Sequence, residues 1–214
     1  MSLRGAAVAA LAALGLAGVL GACSAEPRTP ANPVVRPGLP GEGNRTLSAE
    51  EAASAAPATP PNAADLAYAR DMIAHHRQAL VMTDLVPERG ADPTVRAFAT
   101  RIADTQRPEI DMMNRWLRRH GHPEVDQHAG HDHADHAAMP GMASQRELDE
   151  LAAASGADFD TRFLTLMIRH HEGAVAMANA VRANGVDVAV QEMADNVVVE
   201  QSDEIARMRG MLGA

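Results

Sequence analysis

Met72-Ile73-Ala74-His75-His76-Arg77-Gln78-Ala79-Leu80-Val81-Met82 returns 95 residues later as Met167-Ile168-Arg169-His170-His171-Glu172-Gly173-Ala174-Val175-Ala176-Met177. A period of 95 is too long for a solenoid and marks two copies of one helical unit. Extended back to Asp65 and Asp160, the copies agree at 7 of 18 positions, which are Asp, Met, Ile, both histidines, Ala and the final Met. The same offset carries Gln106, Glu109, Ile110 and Met113 onto Gln201, Glu204, Ile205 and Met208 without a gap. What the copies share is mostly metal-ligand chemistry, with a small residue that leaves room for it.

At 3.6 residues per turn, Met72, His75, His76, Ala79 and Met82 fall within one sector about 120° wide. On the next helix Gln106, Glu109 and Met113 cluster with Ile102 and Trp116. Its two buried polar groups need partners, and imidazoles on the neighbouring helix can supply them. Start and stop signals divide the chain: Asn62 with Asp65, Pro87 and the Gly90–Pro93 turn, Gly121, a capping box at Ser144–Glu147, then Asp158, Gly185 and Asp187. They predict helices over about 63–86, 94–120, 159–183 and 188–212, with a short one from 145 to near Gly156. Aromatics are only 2%, which suits close-packed helices better than a sheet. The expected fold is all-α, an antiparallel four-helix bundle over residues 62–214 built from two copies of a helical hairpin.

The candidate ligands are Met72, His75, His76, Met82, Glu109 and Met113 in the first copy, and Met167, His170, His171, Met177, Glu204 and Met208 in the second. Thioether beside imidazole suits copper, Cu(I) above all, better than magnesium, calcium or manganese. Zinc is possible through imidazole and carboxylate, but it leaves the methionines without a role. Between the copies, residues 120–142 hold His120, His122, His128, His131, His133 and His136, followed by Met139-Pro140-Gly141-Met142. Such a tract binds metal by composition, and its removal is expected to cost little packing. Because imidazole must be neutral to ligate, affinity is expected to fall as pH drops through about 6.5.

Other chemistries fit less well. Di-iron bundles place Glu-x-x-His where this chain has Met72-x-x-His75 and Met167-x-x-His170. His171-Glu172 lacks the second histidine of a zincin, and no nucleophile motif or phosphate-binding glycine loop is present. No enzyme is expected. The competing readings are a structural or partner-binding bundle, in which Glu109 and Glu204 simply hydrogen-bond His75 and His170, and a metalloenzyme of unknown reaction.

At the N-terminus Arg4 precedes the apolar run Gly5–Leu20, and Leu20-Gly21-Ala22-Cys23 has the form of a bacterial lipobox. Residues 1–22 then read as a lipoprotein signal peptide and Cys23, the sole cysteine, as the lipidated residue. A lone cysteine excludes an internal disulfide framework and any CxxC site. Eight of the 13 prolines lie in residues 24–61, so residues 23–61 read as a disordered tether. The expected location is the outer face of the cell membrane, and the expected partners are metal ions and the membrane. A net charge of -9 with no lysine and no basic cluster excludes nucleic acid. Neither a protein partner nor a homo-oligomer follows from the residues.

The strings MIAHHRQALVM and FDTRFLTLMIRHHEGAVAMA, with MPGMAS before the second, resemble the bacterial domain of unknown function 305 family over about residues 62–212. The resemblance implies a ferritin-like helical bundle in exported proteins, with some members linked to copper binding and copper tolerance. By motif position it points to Met72, His75, His76, Met82, Met167, His170, His171 and Met177. The first copy departs further from the family pattern, with Arg77-Gln78 against Glu172-Gly173 and Pro108 against Asp203.

Overall fold

Each long helix begins at a side chain that satisfies its free amides. The computed structural model describes residues 34–36, 43–48, 50–52, 59–125 and 139–213, and the chain divides into two units, Met1–Pro57 and Ala58–Ala214. The signal segment, Cys23, His128, His131, His133 and His136 lie outside the described residues. Among the described residues, no helix is long and apolar enough to cross a membrane.

In the first unit β1 (Val34–Arg36) pairs antiparallel with β2 (Arg45–Leu47), Val34 opposite Leu47 and Val35 opposite Thr46. The tether expected over residues 23–61 thus carries a short ladder. Its β-branched Val34, Val35 and Thr46 favour the extended backbone that Pro and Gly elsewhere in the segment oppose.

The second unit is the antiparallel four-helix bundle. Helix α1 (Ala63–Arg89) starts at a reciprocal capping box: the Asn62 side chain accepts from the amides of Ala64 and Asp65, and the Asp65 carboxylate accepts from the Asn62 amide at 2.8 Å. It runs three residues beyond the expected stop at Val86. Pro87 falls in the last turn, where it removes a single hydrogen bond, and the Gly90 amide closes the helix on the Val86 carbonyl. Helix α2 (Pro93–Arg119) has Pro93 in its first turn and Asp92 as its cap. Helix α3 (Gln145–Ala153) opens at the Ser144–Glu147 capping box. Helix α4 (Gly156–Asn184) starts earlier than expected. Asp158 does not cap it but sits inside the first turn, paired with Arg162 at 2.9 Å. Helix α5 (Val188–Met211) is capped by Asp187, which also accepts from the Trp116 indole at 3.1 Å.

The two hairpins, α1–α2 and α4–α5, meet chiefly through their first helices. They also clamp each other's turns. Asp160 on α4 accepts from the amides of Ala91 and Asp92, and Asp65 on α1 accepts from those of Val186 and Asp187. These turns correspond under the 95-residue offset, so the repeated aspartate is a reciprocal lock between hairpins and not a ligand. The glycines at the two turns are part of the lock: a Cβ on Gly90 would stand 3.1 Å from the Asp160 carboxylate, and one on Gly185 would collide with that of Asp65.

Candidate metal centre

His76 Nε2–H donates to Glu109 Oε2 at 2.7 Å, and His171 Nε2–H donates to Glu204 Oε2 at 2.8 Å. These contacts set the register of each antiparallel hairpin. One turn to one side, helix periodicity places Met72 opposite Met113 and Met167 opposite Met208; one turn to the other, Ala79 faces Gln106 and Ala174 faces Gln201. The carboxylates engage His76 and His171, not His75 and His170 as the packing alternative expected. His75 and His170 instead meet at the crossing of α1 and α4, with ring centroids 3.7 Å apart.

The methionines divide across the copies. Met72 and Met113 share an apolar cluster with Ala174, and half-buried Met177 packs against it. Met167 and Met208 share the other cluster with Ala79 and Met82. Each Met pair therefore lies in one cluster with the small alanine of the opposite hairpin, and Met82 and Met177 each join the cluster of the other copy's methionine pair. The result is one layered centre: a thioether pair, a layer of four histidines and two glutamates, and a second thioether pair.

The four imidazoles are fully buried, yet Nδ1 of His75, His76 and His171 and both ring nitrogens of His170 make no hydrogen bond to protein. Gln106 leaves both amide atoms unpartnered and Gln201 its oxygen. Buried polar groups normally pair, so such a concentration of unpaired donor atoms marks a place built for something other than packing. In His75, His76 and His171 the occupied Nε2 fixes the tautomer and leaves Nδ1 with its lone pair. Among the described residues, no three His, Cys, Asp or Glu side chains are grouped to hold a metal.

Burial, then the neighbouring histidines, holds His75 down at about 3, and the same causes in the same order lower His170 well below the ordinary value. Proton competition at these two rings therefore begins far below 6.5. It also moves the pH sensitivity to folding. Between about 6.5, where the unfolded ring titrates, and about 3, the unfolded chain binds more protons at His75, so stability rises with pH. The metal-free protein is expected to melt at progressively lower temperature as pH falls below about 6.5. A flat melting curve from pH ~7 to ~5 would contradict buried neutral rings. Glu200 is raised by burial and by Glu109 and Glu204, whose carboxylates concentrate negative charge beside the layer.

Residues 139–143 form a strap that the sequence reading placed in a dispensable tract. His75 Nε2–H donates to the Pro140 carbonyl at 3.0 Å; the Gln78 amide donates to the Ala143 carbonyl at 2.8 Å and accepts from its amide at 2.7 Å. The equivalent of Gln78 in the second copy is Gly173, and a Cβ there would overlap the Pro140 carbonyl and lie 2.8 Å from Gly141 Cα. The departure of Gln78 from Gly173 is thus explained by the strap, which latches to one copy and lies flat on the other. Met139 and Met142 are half-buried within it. Gly173→Ala favours the helix by about 1 kcal/mol yet cannot coexist with the strap. The expected result is undiminished helicity with new protease cleavage around residues 139–143; an unchanged digestion pattern would refute it.

The start of the insert is also structural. The Arg77 guanidinium donates to the Val125 carbonyl at 2.6 Å, and Asn114 accepts from the Val125 amide at 3.0 Å. His120 lies against Trp116 and 3.8 Å from Asp187, and His122 accepts from Arg70 at 3.4 Å, both at the end of the bundle. The described parts of the insert, residues 120–125 and 139–142, are thus tied to the bundle, and residues 126–138 lie outside the described residues. The sequence reading missed Pro140, Gln78 and Gly173; the Gln-for-Gly difference beside the MPGM string was the available signal.

The model for the domain of unknown function DUF305 matches residues 65–212. A DUF305 fragment from Deinococcus radiodurans is 35% identical, with a TM-score of 0.64, covering 72% of this chain and 98% of its own. A DUF305 protein from Streptomyces coelicolor, described as a candidate secreted protein, is 34% identical with a TM-score of 0.62, covering 70% of this chain and 92% of its own. CopM in its Cu(I)-bound form is 26% identical with a TM-score of 0.56, covering 69% of this chain and 94% of its own; CopM structures with Cu(II) and silver are similar to the chain to the same degree. No curated protein sequence matches. The duplicated bundle, with its paired histidines and methionines, belongs to the DUF305 family.

Proposed function

We propose that the chain is a lipid-anchored copper-binding protein of the cell exterior, which sequesters or hands on Cu(I) at the layered centre. The observation that carries this reading is the set of buried, unpartnered imidazole nitrogens flanked on both sides by buried thioether pairs. His75, His76, His170 and His171 supply imidazole nitrogen, and Met72, Met113, Met167 and Met208 supply soft sulfur. Met82 and Met177 extend the sulfur on each side. Glu109 and Glu204 orient imidazoles from behind, as carboxylates do in metal-bound histidine pairs. The copper and silver held by CopM support the same class of ion here. Binding rather than catalysis is the proposed role.

Protein purified without a histidine tag should load Cu(I) in preference to Zn(II). Competition against chelators of known affinity for each ion measures the difference. Equal affinity would take the methionines out of the site, and no uptake of either ion would return the bundle to a structural or partner-binding role. The anchor is a separate arm: Cys23→Ala should release the protein from membranes, and full retention would end the lipoprotein reading.

A further inference from the structure

The repeat places two equivalent thioether pairs in one centre, one in each apolar cluster, with a single histidine layer between them. We propose that this centre holds two soft monovalent ions, one against Met72 and Met113 and one against Met167 and Met208; the proposal rests on the copper reading above.

Two features argue for two ions, and a third for their charge. Helical side chains lean towards their N-terminus, so His76 inclines back to Met72 and His171 back to Met167, giving each sulfur pair its own unpartnered Nδ1. Each pair shares its apolar cluster with a fully buried alanine of the other hairpin, Ala174 or Ala79, so the two pairs have equivalent surroundings. Charge decides the valence. Glu109 and Glu204 bring two carboxylates to the layer, each only slightly exposed. With two ions bound, singly charged ions balance them, whereas two divalent ions leave a net charge of about +2, which adds a heavy burial cost.

The halves also differ, since Tyr68 stands at the position of Phe163 and half-buried Met177 at that of fully buried Met82. The half lined by Met72, Met113 and Met177 is therefore the more open one, and it should exchange its ion faster.

The test uses the full chain with the six insert histidines, His120, His122, His128, His131, His133 and His136, replaced by Asn so that they do not add ions. Silver(I), which has no redox chemistry to complicate counting, is titrated in and counted by native mass spectrometry. The parent should take two ions, Met72→Leu with Met113→Leu one, Met167→Leu with Met208→Leu one, and the four-fold variant none. Leu roughly conserves methionine volume, so the bundle should stay folded. Methionine methyl resonances of the parent give the same answer without core substitution, because the methyls of Met72, Met113, Met167 and Met208 should all shift. One ion in the parent, two ions persisting in the four-fold variant, or unmoved methyls would overturn the two-ion assignment while leaving a metal-binding centre. No ion in the parent would overturn the copper reading itself.

Discussion

Replacing Asp160 by Ala is expected to destabilise the bundle by about 3 kcal/mol or more and to lower its melting temperature by roughly 10 °C. Its carboxylate accepts from Ala91 and Asp92 at 2.8 to 3.2 Å, and these amides have no other assigned acceptor in a turn closed against the neighbouring hairpin. Hydrogen bonds to a charged acceptor contribute about 1.5–3 kcal/mol each, and amides stranded beside a buried methyl lose their desolvation cost as well. Asp160→Asn keeps an acceptor and loses the charge, so it should fall between wild type and Ala. Asp65→Ala should behave similarly, because Asp65 locks the turn at Val186 and Asp187 and also closes the capping box of α1. Thermal unfolding followed by circular dichroism measures all three. A drop of only a degree or two in Asp160→Ala would mean the lock is ornamental and the hairpins are held by their apolar faces alone.

That lock shows where sequence reasoning reached and where it stopped. The repeat, the helical period and the caps made four helices legible, because each rests on residues within a turn or two of one another. Ends were less legible: Pro87 in a final turn removes only one bond, and Asp158 found Arg162 instead of free amides. Asp65 was legible as part of the cap of α1, and Asp160 only as its repeat. Their partners lie 68 to 69 and 121 to 122 residues away, a separation that helical periodicity does not address. The same holds for the centre. Its residue types were evident, but the grouping of Met82 with the second copy's pair and the contact of His75 with His170 follow from how two hairpins cross. The strap was misjudged because His, Gly and Met dominate its neighbourhood in composition. What ties it down is backbone, the Pro140 carbonyl and both polar groups of Ala143, which composition does not reveal.

Changing Glu109 and Glu204 together to Gln should weaken Cu(I) binding by a factor of roughly 10² to 10⁴ while leaving the number of ions bound unchanged. The glutamates hold Nε2 of His76 and His171 at 2.7 and 2.8 Å, so the free nitrogen of each ring is Nδ1. A carboxylate behind a ligating imidazole fixes its orientation and raises its basicity, and losing such a partner typically costs 10–100-fold in affinity. The two pairs are equivalent under the repeat, so two losses multiply if they act independently. Gln is isosteric and can still accept from Nε2–H, so the fold and the tautomer should survive while the charge is lost. That charge matters a second time, since the carboxylates are what offsets positive ions in a buried layer. Chelator competition with the insert histidines replaced by Asn reads the affinity, and mass spectrometry reads the count. A fall in the count with unchanged affinity at the remaining site would make Glu109 and Glu204 ligands in their own right. Parental affinity and count together would show that Nδ1 is not the donor, and the carboxylate–histidine pairs would then be no more than buried ion-pair packing.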